Sequence, residues 1–396
     1  MDGELLTVLV ASVALLIRVG LGWYAAGLSR SKNAAGAALR NAIDFAVAAL
    51  AFWAVGAAIL SGDAGHLFLA RSGFASTTTF VYLVLILIGT APVAGAVMER
   101  ARFFPMLAIP VLLGGIIIPL CARWVWTDAG WLRRMNFFDV GGATVLHVAG
   151  GVAAAVAALL VGPRCGKYNR DGSANFIPGH SVPMASVGAM LILAGWLPYM
   201  LAASRLNGGF ERCAINVLLS GAAGLLLGAI TSHARYGKVD VMLTYSGLLG
   251  GLVAITASAG LVSPIAAVIM GAVAGVITPV ATVAIDLRFR IDDPAGGVAV
   301  HALNGAWSAI ALGVFFPAAT WGEKLSFLGV QVLGVVVIAA VTLVATTIVL
   351  LALKKMIGLR LSEDAEYDGT DLAENDLNAY PDFQQTMIKS YHMREA

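Results

Sequence analysis

Apolar residues fill this chain in long blocks separated by short polar connections. Crossing the ~30 Å hydrocarbon core of a bilayer takes about 20 helical residues. Eleven blocks approach or exceed that length: 5–24, 42–60, 80–98, 105–126, 141–161, 182–203, 214–230, 242–261, 264–287, 297–316 and 328–353. The pattern predicts an all-α integral membrane protein with eleven transmembrane helices. The fifth block runs into Arg164-Cys-Gly-Lys-Tyr-Asn-Arg-Asp-Gly172, the best candidate for a link between halves.

Charge in the connections adds orientation. Arg30, Lys32, Arg40, Arg100, Arg102, Arg164, Lys167, Arg170, Arg235, Lys238, Arg288, Arg290, Lys354, Lys355 and Arg360 occupy the odd connections and the start of the tail, 15 in all. The even connections hold Arg71, Arg123, Arg133, Arg134, Arg205, Arg212 and Lys324, which is 7. The excess puts the N-terminus outside and the C-terminus in the cytoplasm of a cell that carries the protein in its inner membrane. Met1-Asp-Gly-Glu4 lacks a basic region, so the first block reads as a retained helix.

Composition agrees: 59% of residues are hydrophobic and 12% charged, with a mean hydropathy of +0.85, where a soluble chain carries about 25% charged residues. Forty-five glycines suit close helix packing in a bilayer. A net charge of +2 with no basic cluster gives no reason to expect nucleic acid. Three scattered cysteines, Cys121, Cys165 and Cys213, form no metal or disulfide pattern. With no P-loop, GxSxG or HExxH, an enzyme reading has little to stand on, and neither a cofactor nor a metal is expected.

One pattern occurs twice. Asp139, seven residues, His147, three residues, Gly151 is repeated as Asp293, seven residues, His301, three residues, Gly305. An ionisable group inside an apolar span is costly and points to function. His147 falls on helix five and His301 on helix ten. Two five-helix halves, 1–161 and 182–316, joined by a loop at 162–181, would then be inverted repeats, a common transporter plan. The eleventh helix (317–357) and a tail (358–396) follow. Each Asp sits at a helix entrance where it can cap free N–H groups. Eight residues further is about 12 Å, so imidazoles from opposite faces reach the middle of the membrane.

Two neutral imidazoles in an apolar channel can share a hydrogen bond and relay a proton while resisting full charge. That suits a small species that is a cation outside and neutral inside. The plainer alternative is two independent histidines bonded to backbone. Trp124 and Trp126 precede Asp139, and an indole at a pore mouth can hold a cation through its π face; an interfacial belt is equally open. Asp44 reads as a packed polar contact, and Arg18 as a residue that pairs or snorkels.

These residues resemble the ammonium transporter family (Amt/MEP/Rh), and its Amt/MEP branch in particular. The likeness is carried by Gly27-Leu-Ser-Arg-Ser-Lys-Asn33, Glu99-Arg-Ala-Arg-Phe103, the segment Asp139 to His147, Lys238-Val-Asp240, the segment Asp292 to Gly305, and the tail pieces Gly358 to Asp364, Gly369 to Leu372 and Asn378 to Pro381. The resemblance implies inverted five-helix repeats, a pore in each protomer and a homotrimer. It implies that His147 and His301 pair in that pore and that Trp126, near Asp139, belongs to an outer ammonium site. Tyr199 falls where helix six would complete that site; the position of a serine that would help bind the cation is Ala203 here, with Ser204 adjacent. In the tail, Gly358, Arg360, Asp371 and Tyr380 fall in a segment that in many members contacts a PII-type regulator.

The chain also departs from the family. Two phenylalanines usually gate the pore. Here the first position is Leu85 and the second Tyr199; the stretch after it reads Met200-Leu-Ala-Ala203 before Ser204, with Pro198 preceding. A segment Gln384 to Ala396 extends past the family-like tail and could lead into a fused signalling domain. Two readings stay open: a transporter of ammonium, or a sensor that binds ammonium in a poorly conducting pore and signals through its tail. Passage of methylamine or CO2 is a third. Membrane lipid and ammonium or ammonia, with methylammonium as an analogue, are the expected small partners.

Overall fold

A computed structural model describes residues 3–62, 76–207 and 209–381. Arg71 and the extension Gln384 to Ala396 lie outside the described residues. Among the described residues, ten helical segments are long and apolar enough to cross a membrane: α1 Gly3–Leu28, α2 Ser31–Ser61, α3 Thr77–Ala96, α4 Phe103–Arg134, α5 Ala143–Val161, α6 Val182–Asn207, α7 Phe210–Tyr236, α9 Pro264–Leu287, α10 Val298–Phe315 and α11 Trp321–Met356. A shorter apolar helix, α8 Val241–Ala254, completes the eleven expected. The described residues hold two isolated backbone bridges and no strand. The protein is thus the all-α membrane bundle that its apolar blocks predict.

Polar side chains set where several helices begin. Ser76 accepts the N–H of Thr79 (3.1 Å) at α3, and Asp240 that of Leu243 (2.8 Å) at α8. Thr320 and Glu323 form a reciprocal capping box at α11. Such caps satisfy N–H groups that have no partner within the helix. The helix α6 runs unbroken through Pro198.

The eighth block stops short for a reason that composition does not carry. Beyond Ala254 the carbonyls of Thr256 and Ala257 accept Gly141 N (3.0 Å) and Val140 N (3.1 Å). Those backbone groups are committed to the entry of α5, so apolar residues 255–261 make turns instead of helix.

Arg18 and Asp44 pair with each other. A 2.8 Å ion pair joins α1 to α2, with Thr90 donating to the same carboxylate oxygen at 2.7 Å.

The tail docks on one face of the bundle as two short helices, α12 Glu363–Asp368 and α13 Thr370–Asn375. Asp371 accepts Ala35 N and Gly36 N (3.1 and 2.6 Å) at the start of α2. Glu374 pairs with Arg40 and accepts Phe103 N (2.9 Å). Arg360 pairs with Glu366 (2.7 Å), whose other oxygen accepts Cys165 N (2.5 Å). The Tyr380 hydroxyl meets His180 Nε2 at 2.7 Å, and Gly358 takes a left-handed turn (φ +76°). The first, third and fifth connections therefore share a face with the tail.

Candidate functional site

Each histidine stands on a widened, π-helical turn at the start of its helix: Ala143–Val148 for His147 and Val298–Leu303 for His301. The glycine of each pattern explains how the two turns meet. A Cβ on Gly151 would lie 2.3 Å from Ala302 N, and one on Gly305 would lie 2.4 Å from Ala143 O and 3.0 Å from Val148 N. Ala302 follows His301 and Val148 follows His147. Each glycine thus lets the other half's histidine turn pass at backbone contact.

The outcome is an imidazole pair. Nδ1 of His301 lies 3.1 Å from Nδ1 of His147, with ring centroids 5.1 Å apart and planes within 20°. His147 is fully buried and His301 nearly so. Uncharged rings facing through Nδ1 hold one proton between them: one nitrogen donates and the other accepts.

Sequence reasoning passed over Trp196. Its indole lies parallel to His147, with centroids 5.2 Å apart and planes within 12°, making a stack of Trp196, His147 and His301. It sits one turn before Tyr199 on α6, a spacing that puts both on one face. Tyr199 is itself fully buried, edge-on to His147. Its hydroxyl donates to Gly141 O and lies 3.5 Å from His147 Nε2.

Trp126 and Asp139 come together. The Trp126 indole donates to the Asp139 carbonyl (2.7 Å), and both line a pocket of about 230 Å³ with Arg133, Asn136 and Asn207. The Asp139 carboxylate serves the entry of α5. It accepts the N–H groups of Gly142, Ala143, Thr144 and Val145 (3.0, 2.6, 2.8 and 3.2 Å) and the Thr144 hydroxyl (2.5 Å). Ser204 is buried with its hydroxyl on Cys213 Sγ (3.4 Å), committed to α7 and not to the outer mouth. Leu85 is fully buried; one turn earlier on α3, Tyr82 is stacked on Trp126 at 5.5 Å.

A second polar cluster, also missed, underlies the tail. Glu99 is buried in a left-handed conformation (φ +74°) and takes Arg30 (2.5 Å), Asn33 (3.1 Å) and Arg164 (3.0 Å). Arg164 continues to Asp292 through two 2.9 Å bonds, and Asn33 Oδ1 accepts Thr370 N (2.7 Å) from the tail. Burial would raise the Asp292 carboxyl, but hydrogen bonding and charge from Arg164, with Arg100 beyond, hold it below the usual carboxylate range. Among the described residues no group of three or more His, Cys, Asp or Glu side chains could hold a metal ion.

The fold is a polytopic helical bundle with a buried imidazole pair at the crossing of two matched helices. A sequence profile of the Ammonium Transporter Family matches residues 5–380. Ammonium transporter Amt2 of Archaeoglobus fulgidus is 33% identical, covering 94% of this chain and 86% of the relative. Amt1 of Methanocaldococcus jannaschii is 30% identical over 93% of this chain and 95% of the relative. A solved structure described as a Sensor Amt Protein superposes with a TM-score of 0.89 at 31% identity, covering 94% of this chain and 97% of that one. Mep2 of Saccharomyces cerevisiae gives a TM-score of 0.80 over 92% of this chain and 91% of its own, a likeness of fold at 23% identity.

The chain belongs to the ammonium transporter family. Its members are transporters and not enzymes, and membership supports ammonium as the substrate.

Proposed function

We propose that this chain carries ammonium across a cell membrane through a narrow apolar passage centred on His147 and His301. The observation that carries the reading is their 3.1 Å Nδ1–Nδ1 contact, buried where two helices cross. The cation is recruited at the outer end, against the stacked faces of Trp126 and Tyr82, which favour positive charge. It loses water and gives up its proton before the apolar stretch. Neutral NH3 passes along the imidazoles, which take and return hydrogen bonds without carrying full charge, while the proton follows a linked route. Na+ and K+ have no proton to release, so their desolvation stays uncompensated. The N-terminus lies outside and the tail in the cytoplasm. The active form is a homotrimer in lipid, with the tail docked through Asp371, Arg360 and Tyr380 as the contact for a PII-type regulator.

A second reading is an ammonium sensor. It is favoured by the likeness to the Sensor Amt Protein and by Tyr199, fully buried on Gly141 beside His147. Binding would then shift the tail without net passage. One preparation separates the two: ammonium-evoked current in proteoliposomes alongside direct ammonium binding. Transport predicts current that disappears in His147→Asp and His301→Ala. Binding without current supports the sensor, and neither signal in intact protein discards both. Competition by methylammonium tests the substrate class.

A further inference from the structure

The widened turn beneath His301 is closed by a side chain that its counterpart beneath His147 does not have. In an α-helix the N–H of Asn304 would bond the carbonyl of Val300, four residues back. Here it bonds the carbonyl of His301. The Asn304 side chain reaches back instead. Its Nδ2 donates to Ala299 O (2.9 Å) and Val300 O (3.2 Å), the two carbonyls just before His301. The same nitrogen lies 2.9 Å from Thr278 Oγ1 on α9. Thr278 gives its own proton to Ala274 O (2.6 Å), so its oxygen accepts from Asn304. All three partners are acceptors, which sets the amide with its nitrogen toward the turn.

The first half is built differently at the same place. Three residues after His147 stands Gly150, where a Cβ would lie 2.3 Å from Gly89 O and 3.0 Å from Pro92 Cγ on α3. The backbone of α3 fills the space, and no side chain fits. In the second half the room comes from Gly250 on α8, whose added Cβ would lie 2.1 Å from Thr278 Oγ1 and 3.0 Å from Asn304 Nδ2. Stability alone does not account for the carboxamide placed there. Asn304 is fully buried, and its Oδ1 has no partner in the structure. An unmet acceptor in the interior is costly and offsets what the nitrogen gains. What the nitrogen holds is the stretch of backbone from which His301 is aimed.

We propose that Asn304 is the positioning residue of the imidazole pair. Through Ala299 O, Val300 O and Thr278 it ties the His301 turn to α9, so that the ring meets His147 Nδ1 to Nδ1. His147 has the packing of α3 and the caps from Asp139 in place of such a brace. This inference rests on the proposed part of the pair in ammonium passage.

The test follows the ring nitrogens of 15N-labelled histidine in the full-length protein in lipid, with His301→Ala used for assignment. In the unaltered protein the two Nδ1 atoms share one proton and give coupled signals. Asn304→Ala is expected to remove that coupling while thermal unfolding stays cooperative. Asn304→Ser, whose hydroxyl can bond the carbonyl four residues back, is expected to restore much of it, and Thr278→Val to weaken it. Maximal ammonium current should fall about tenfold in Asn304→Ala at an unchanged half-saturating concentration, because the outer mouth is untouched. Coupling retained in Asn304→Ala overturns this inference and leaves the function standing. Where Asn304→Ala does not fold, Thr278→Val decides: unaltered coupling overturns the inference, and weakened coupling supports it. Coupling lost with current unchanged upholds Asn304 and removes the pair from the functional reading. Uncoupled rings in the unaltered protein remove both.

Discussion

Asp139 and Asp293 occupy the same place in the two patterns, yet they hold their histidine helices differently. Asp139 takes four backbone N–H groups and a hydroxyl from its own helix entry, so the start of α5 is tied locally. Asp293 takes Val298 N (2.7 Å), and its Oδ1 has no partner in the structure. The start of α10 is secured instead through its neighbour Asp292, bonded to Arg164 and from there to Glu99, Asn33 and the tail. The two histidine helices thus differ in what their entries answer to. His147 stands on a self-contained support, and His301 on one that shares its bonds with the tail-side loops.

This contrast can be broken experimentally, beginning with the strongest effect. Asp139→Ala orphans five buried donors and is expected to cost on the order of 4 kcal/mol, because each unsatisfied buried group costs about 1–3 kcal/mol with partial relaxation. Asp293→Ala, at a less saturated site, should cost only about 1–2 kcal/mol, the scale of a lost cap. Thermal unfolding of the solubilised variants checks the ranking, and equal losses would erase the distinction.

Next comes Arg164→Ala, which takes both side-chain bonds from the buried Asp292 carboxylate and leaves Glu99 with Arg30 and Asn33. Removing one partner of a buried pair costs about 3 kcal/mol or more. Beyond that loss, tail release measured by limited proteolysis near residues 360–375 should increase in this variant and stay unchanged in those Asp139→Ala molecules that fold. Asp371→Asn should have a smaller effect, about 1 kcal/mol, by weakening the caps on Ala35 and Gly36; the same proteolysis reads it.

The pH response sharpens the contrast further. Asp292 is held below its unfolded value of about 3.9. Between the two values the unfolded chain binds more protons, so this stabilisation is complete above about pH 4 and is lost as pH falls through the folded value. Tail protection should therefore survive mild acid and fail below that point, and Asp292→Asn should flatten the dependence. The smallest effect concerns Cys165. Burial, followed by the Glu366 carboxylate, pushes its thiol up, so alkylation at neutral pH should be slow and should speed up in Glu366→Gln.

Much of this was legible before any coordinates. Apolar blocks marked eleven helices because a bilayer imposes both length and composition, and the repeated Asp, His and Gly named the residues where two helices cross. What stayed hidden depended on partners far away in sequence. The block at 242–261 looked uniform because Thr256 and Ala257 lose their helical bonding to residues 140 and 141. Ser204 fits an outer site by position, and only packing shows it turned to Cys213. Tyr82 stands out only once its stacking partner Trp126, distant in sequence, is beside it. Trp196 reads as an ordinary apolar residue until its stacking partner is known.

The widened turns beneath the two histidines carry a last implication, for how such a chain can change. A π turn accommodates one residue more than an α turn, so the direction of each imidazole depends on counting as well as on packing. Deleting a single residue from 143–148 or 298–303 would return the turn to α geometry and re-aim the imidazole away from its counterpart. Point substitutions can drift at these turns, whereas insertions and deletions would be penalised there far more than in the loops, so families built this way should preserve spacing even where they lose identity.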